Sequence, residues 1–430
     1  MPSSAPPPSS PPRPGPPPPG GPPPHDLSSL CGPGNSLASH YTRFRVGERL
    51  LLTGHSHQAW PDVARDATVQ AFDDAAAWVD GKWDLAGQRA LRVRDGFRRL
   101  LDDPDGHIAL AGSTHDVVVR FLSALPWQRR RRLLTSDGEF HTLRRQLDRL
   151  AERDGGGVAG IAVAKVAMAP VATLVPRLIE DLQQHPDDTA AVLLSTVSFE
   201  QSQIVPHLRA LQEACEACGA ILFLDAYHHL NVAPFSVKDD GLGRAYITGG
   251  GYKYCQLGEG ACFLRFPHDS TLRPLVTGWF AEFGLLAGAP AGGPVSYGEG
   301  PARFAGATYD PVSHYRAAAV FDFFLEQRLD VPLLRAVSQH QVGRLAAGFD
   351  ALGLDPALIR RDLSVPLAAR AGFLALPSPH AGAIVLGLRA RGVAADSRGD
   401  VLRLGPAPYL ADRQINDALV ALGETVAALR

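Results

Sequence analysis

The stretch YITGGGYKYCQLGEG, residues 246–260, runs from an apolar segment through three glycines to a lysine, Lys253, set between two tyrosines. A solvated lysine needs no such setting; one that must meet a planar ring at close range does. The β-branched and aromatic opening reads as a strand, and the glycines mark its end. Upstream, AILFLD reads as a second strand ending in Asp225, and 253 − 225 = 28 residues is the separation of one crossover in a βαβ sheet. In open α/β sheets ligands sit outside the carboxyl ends of strands. The lysine and the aspartate are therefore expected to converge on one cleft.

Outward from this pair, strand-like and helix-like segments alternate. RLLTS (132–136), GIAVAKVAM (160–168) and AAVLLSTVSF (190–199) read as strands. DVARDATVQAFDDAAAWV (62–79), TLRRQLDRLAER (142–153), VPRLIEDLQQH (175–185) and LRALQEACEAC carry helical spacing. Such alternation predicts an α/β fold with a mostly parallel sheet. After about residue 312 come two strong helices, then GAIVLGLRARG and DVLRLGP, which read as strands, and a closing helix, INDALVALGETVAALR. The expected organisation is a Pro-rich arm over 1–33, a large domain over 34–310 and a smaller α+β domain over 311–430, with a ligand cleft between the lobes. The arm is expected to be disordered: residues 1–24 hold 14 of the 36 prolines and too little apolar surface to offset ordering entropy.

Charge is nearly balanced, 42 Lys+Arg against 44 Asp+Glu, which gives no electrostatic case for nucleic acid or a membrane surface. Five cysteines argue against a disulfide framework and for a reducing, cytoplasmic setting. Cys215 and Cys218 form a C-x-x-C, but within a helix, where packing is their expected role. No transmembrane helix or signal peptide is expected.

Pyridoxal phosphate (PLP) needs a lysine amine for its covalent linkage, a carboxylate on its pyridine nitrogen, an apolar or aromatic face on its ring, and donors for its phosphate at a helix N-terminus. Lys253 and Asp225 supply the first two, and the glycines are expected to let backbone approach the cofactor closely. AGSTHDVVVRFLSAL, 111–125, offers Ser113 and Thr114 at the opening of an amphipathic helix. Phe140, in SDGEFHT, is the expected ring-stacking residue.

LLTGHSHQAWPDV, SDGEFHT, LFLDAYHHLNV, YITGGGYKY, TGWF and RLGPAPY together resemble, in order, the landmarks of the kynureninase-like branch of the class V aminotransferases. The similarity runs from roughly residue 45 to the C-terminus; its most specific part is the D-x-x-H followed by Y-K. The resemblance implies fold type I, with a seven-stranded sheet, PLP and a homodimer with active sites at the subunit interface. It implies that Lys253 is the Schiff-base lysine, that Asp225 pairs with the pyridine nitrogen, and that His228 supports that aspartate and the ring's phenolic edge. Tyr252 then contacts the phosphate or relays a proton, Ser113 and Thr114 hold the phosphate, and Phe140 stacks on the ring. Thr308, in GATYDP, resembles a threonine lent to the partner's phosphate site, and Arg403 the arginine that clamps the substrate α-carboxylate.

Four family segments are altered. G-N-S-L-G is Gly54-His55-Ser56-His57-Gln58, F-P-T-D is Phe140-His141-Thr142-Leu143, W-x-G-H is Trp279-Phe280-Ala281-Glu282, and S-N-P-P is Gly306-Ala307-Thr308-Tyr309. The cofactor half of the pattern is kept and the substrate half changed, so His55, His57 and Trp279 become candidates for substrate selection. The implied activity acts on an amino acid through an external aldimine and a Cα carbanion, with kynureninase-like hydrolase or lyase chemistry at or beyond Cβ, or transamination as the alternative. Desulfurase chemistry needs a mobile cysteine in the second half of the chain, and the last cysteine is Cys262. His55-x-His57 and His228-His229 leave a zinc hydrolase as a distant alternative without a clean third ligand, and no metal is expected. A non-catalytic scaffold would leave both Lys253 and Asp225 idle.

Overall fold

A computed structural model describes residues 24–152, 160–288 and 293–429. In chain order its strands are β1 (Leu50–Leu51), β2 (His107–Ala111), β3 (Arg132–Ser136), β4 (Ala162–Val166), β5 (Thr189–Ser195), β6 (Ile221–Asp225), β7 (Tyr246–Gly250), β8 (Cys262–Phe266), β9 (Leu374–Pro377), β10 (Val393–Ala394), β11 (Asp396–Arg398) and β12 (Val401–Leu404). Seven of them form one sheet in the order β2-β8-β7-β6-β5-β3-β4. Every pairing is parallel except the two made by β8, which runs against both neighbours. The fold is α/β, as the alternating pattern predicts. β5, TAAVLLS, is buried along its whole length, which fits a central strand covered on both faces.

The order places the carboxyl ends of β5, β6 and β7 side by side. Ser195 pairs in register with Asp225, and Asp225 with Thr248. The connection from β6 to β7 is not the expected helical crossover: residues 226–245 form a series of turns that buries Ala226–Ala233. Tyr227, His228 and His229 are thereby folded under the sheet edge rather than spread along a helix.

Over the second half, helix Val312–Glu326 packs on helices Val63–Trp78 and Lys82–Leu100, and a three-stranded antiparallel sheet, β11-β12-β9, forms the small lobe. The parallel pair β1–β10 and the bridge Thr53–Gly405 tie the segment before residue 60 to that lobe. Residues 381–390 correct the sequence reading: GAIVLGLRARG is a helix, not a strand. Its buried residues, Ala381, Ile384 and Leu388, recur at three and four positions, while Leu386 is exposed. The predicted arm needs a second correction. Residues 1–23 lie outside the described residues, but from Asp26 the chain is ordered. Asp26 caps a short helix, Leu27–Cys31, whose Leu30 and Cys31 are buried.

Candidate active site

Lys253 lies on the turn beyond β7, fully enclosed. Its Nζ is 2.9 Å from His228 Nε2 and lies over the rings of Tyr227 at 4.5 Å, Phe140 at 5.2 Å and Tyr252 at 5.7 Å. Burial brings its proton affinity down to about 7, opposed by the negative charge of Asp225 and assisted by Arg403 and Arg398. Asp225 ends β6 and accepts the Tyr227 backbone N–H at 2.9 Å. Burial raises its carboxyl above the ordinary range, against that hydrogen bond and the charge of Lys253. His228 is pushed well below its usual value by burial and then by Lys253, so it is a neutral acceptor for the lysine. It does not hold Asp225, as the family pattern implies; Tyr227 does.

Thr114, Phe140, Ser195, Val197, Phe199, Asp225, Tyr227, His228, Tyr252 and Lys253 line one small cavity. Its donor set fits PLP: an amine of low proton affinity, a buried carboxylate one strand away, aromatic rings beside the amine and a helix N-terminus at Thr114. His228 Nδ1 is buried and unpartnered, so it is open to a ligand. Ser113 is the N-cap of helix Thr114–Ser123 and accepts the Asp116 N–H at 3.2 Å, which leaves its own O–H proton free to donate. The donors available to an anion at this end are the Ser113 and Thr114 hydroxyls and the first free backbone N–H groups.

The glycines make room for neighbouring side chains. A Cβ on Gly249 would sit 2.6 Å from Leu230, on Gly250 2.5 Å from the Tyr227 hydroxyl, and on Gly251 2.5 Å from Leu257. They admit protein side chains beneath the site, Tyr227 among them.

Arg403 is buried, but its fork is engaged: Nε and Nη2 donate to the two oxygens of Asp396 at 2.9 and 2.7 Å, and Nη1 donates to the Phe199 carbonyl at 2.7 Å. His55, fully buried, meets the same aspartate at 2.8 Å through Nε2. Burial pulls His55 down to about 4 despite that contact. Against burial, which pushes Asp396 up, His55 and Arg403 hold its carboxyl well below the ordinary range. Gly405 is required here: a Cβ would lie 2.2 Å from His55 Nδ1. His57 is exposed and stacks on Tyr252 at 4.7 Å and 20°. Burial raises the Tyr252 phenol to about 12.

Thr308 and Trp279 are not brought to Lys253. The Trp279 indole donates to Thr308 Oγ1 at 3.3 Å, both are exposed, and Thr308 borders a second, larger cavity that Gly112 and Asp116 also line. His229 is committed to the fold, its ring nitrogens meeting Thr196 Oγ1 and the Pro234 carbonyl. Among the described residues no group of three or more His, Cys, Asp or Glu is placed to hold a metal. Sequence reasoning missed Tyr227, Ser195, Glu139 and Asp396. Tyr227 lies between the noted aspartate and histidine and Glu139 stands beside Phe140 in SDGEFHT, but Ser195 and Asp396 come in only through strand register and small-lobe docking.

No protein-family model matches the chain. It is 27% identical over 411 residues to a kynureninase of Pseudomonas fluorescens, covering 91% of this chain and 92% of that protein. It is 23% identical over 254 residues to an uncharacterized aminotransferase, YcbU, of Bacillus subtilis strain 168, covering 58% and 63%. Among solved structures, a C-DES mutant with glycine linked covalently to its PLP cofactor has a TM-score of 0.75 at 16% identity, covering 90% of this chain and 99% of that one. A cysteine desulfurase from Thermococcus onnurineus NA1 has a TM-score of 0.72 at 16% identity, covering 91% and 98%. At that identity the likeness is one of fold, and the fold is that of the fold type I PLP enzymes.

Proposed function

We propose that this chain, a PLP-dependent enzyme of the class V aminotransferase type, acts on an amino acid by kynureninase-like lyase or hydrolase chemistry at or beyond Cβ. The observation that carries the reading is the amine of Lys253, buried beside aromatic rings, brought down to about 7 and facing a buried carboxylate from the adjacent strand. Likeness to a kynureninase over 92% of that protein's length supports the reaction class. Bound PLP supplies an electron sink that loosens the bonds of a substrate's α-carbon. Asp225 holds the proton on the ring nitrogen. Lys253 Nζ removes and returns protons at the α-carbon, and His228 accepts from that amine. Phe140 and Phe199 keep water off the ring face, and Arg403 binds the substrate carboxylate with the donors that Asp396 and Phe199 leave free. His57 and Tyr252, stacked at the edge, relay protons. The chain works as a homodimer in which Thr308 is lent to the partner's phosphate site, and its five free thiols suit the cytoplasm.

A second reading, transamination, is favoured by the changed substrate segments around His55 and Trp279. Desulfurase chemistry is not: Cys31, Cys215, Cys255 and Cys262 are buried, and Cys218 ends the helix Leu208–Cys218. The test is to load the protein with PLP, record its visible band, and assay amino acids including kynurenine for a released side-chain product or for keto-acid formation. Wild type is expected to be yellow and bleached by borohydride, and Lys253→Ala colourless. A Lys253→Ala protein that keeps the band and full turnover would overturn the assignment.

A further inference from the structure

Glu139 is a buried carboxyl with no part in the chemistry above. It stands between β3 and helix His141–Ala151 and is 2% exposed. A carboxylate so placed is costly unless donors meet it. Three do: the Ser136 hydroxyl reaches Oε1 at 2.5 Å, and the Ser195 N–H and hydroxyl both reach Oε2, at 2.9 and 2.6 Å. Ser195 in turn lines the cavity of Lys253 and is the register partner of Asp225. We infer that Glu139 is a positioning residue for the cofactor site: it fixes Ser195 against Asp225 and, in its ionised form, sets a second buried negative charge behind that aspartate.

This inference rests on the PLP reading. Burial raises Glu139 to about 7, against the serine hydrogen bonds, and the charge of Asp225 adds to the rise, so the two carboxyls sense each other. A negative charge behind Asp225 favours every cationic form in the cavity, the protonated ring nitrogen above all. The other ionisable groups acting there are Lys253, His228, Tyr227, Tyr252, Cys262, Arg398 and Arg403, and all are unchanged in the variants below.

The experiment titrates the visible band of the PLP-loaded protein from acid to alkaline pH in wild type, Glu139→Gln and Glu139→Asp, and measures PLP affinity of the apoproteins by fluorescence quenching. Removing the charge is expected to lower the titration midpoint by about half a pH unit or more and to weaken PLP binding several-fold. Glu139→Asp, which keeps the charge, is expected to restore most of both. A folded Glu139→Gln protein with the wild-type midpoint and affinity overturns the inference alone, as does one that only melts earlier. A wild type that takes up no PLP overturns the functional reading with it. If Glu139→Gln does not fold, Ser195→Ala carries the test. Losing a donor raises Glu139's proton affinity, so the midpoint shifts in the same direction, and an unchanged midpoint again overturns the inference.

Discussion

At Lys253 two effects oppose each other. Burial removes the ammonium's hydration, Asp225 restores part of the stabilisation, and the balance leaves the amine at about 7. The sign is definite: the folded value lies below the ordinary one, so the reactive neutral amine is already formed just above neutrality. Capture of PLP by the apoprotein is therefore expected to rise from pH 6 to pH 8 and then level off. A stopped-flow rate that keeps climbing to pH 10 would mean an unperturbed lysine. At Arg403 the bidentate Asp396 pair means that a substitution strikes twice. Arg403→Ala is expected to weaken amino-acid binding by about 1.5–3 kcal/mol and to lower the melting temperature, because Asp396 then keeps only His55 and the more distant Arg398. An unchanged KM for every active substrate would remove Arg403 from the binding site. Sequence pattern named Lys253, Asp225, His228, Phe140, Tyr252 and Thr114, which the fold gathers around one cavity, because each stands in a local motif. The Asp396 partnership was not visible there, since it depends on how β11 and β12 pair.

At the scale of elements, the end of β7 joins a local signal to a packing requirement that the sequence does not show. The glycines do mark the site, but a Cβ there meets Leu230, Tyr227 and Leu257. Gly251→Ala is expected to cost about 1–3 kcal/mol through overpacking, seen as an earlier melt of the apoprotein; unchanged stability would show that Leu257 yields freely. Helix 381–390 was misread because an apolar run of ten residues fits either period until its buried side is known. The structure supplies that side: Ala381, Ile384 and Leu388.

For the whole molecule, the ordered N-terminal segment matters more than its proline-rich neighbour. His25 bonds Ser36 and Gln327, and Leu30 is fully buried. Removing residues 1–23 is expected to leave the melting temperature and turnover unchanged, whereas Leu30→Ala is expected to cost about 2–5 kcal/mol. Equal stability of the Leu30→Ala variant and wild type in urea would contradict that packing. Phe72, Val79 and Leu275 are 74%, 72% and 80% exposed, large apolar side chains of the kind that subunit contact covers. Sedimentation is expected to give twice the chain mass of 45.9 kDa; a monomer at micromolar concentration would remove Thr308 from any partner's site. By itself the sequence determined the α/β layering and placed Lys253 and Asp225 at neighbouring strand ends, because short apolar runs and motifs are local properties of a chain. Only the tertiary structure decided what surrounds them: which carboxylate occupies Arg403, which serine stands beside Asp225, and where Glu139 lies. Ser195 lies 56 positions from Glu139, and even Arg403 meets Asp396, seven positions away, only because β11 pairs with β12; nothing in a chain's local pattern records how strands pair across a folded core.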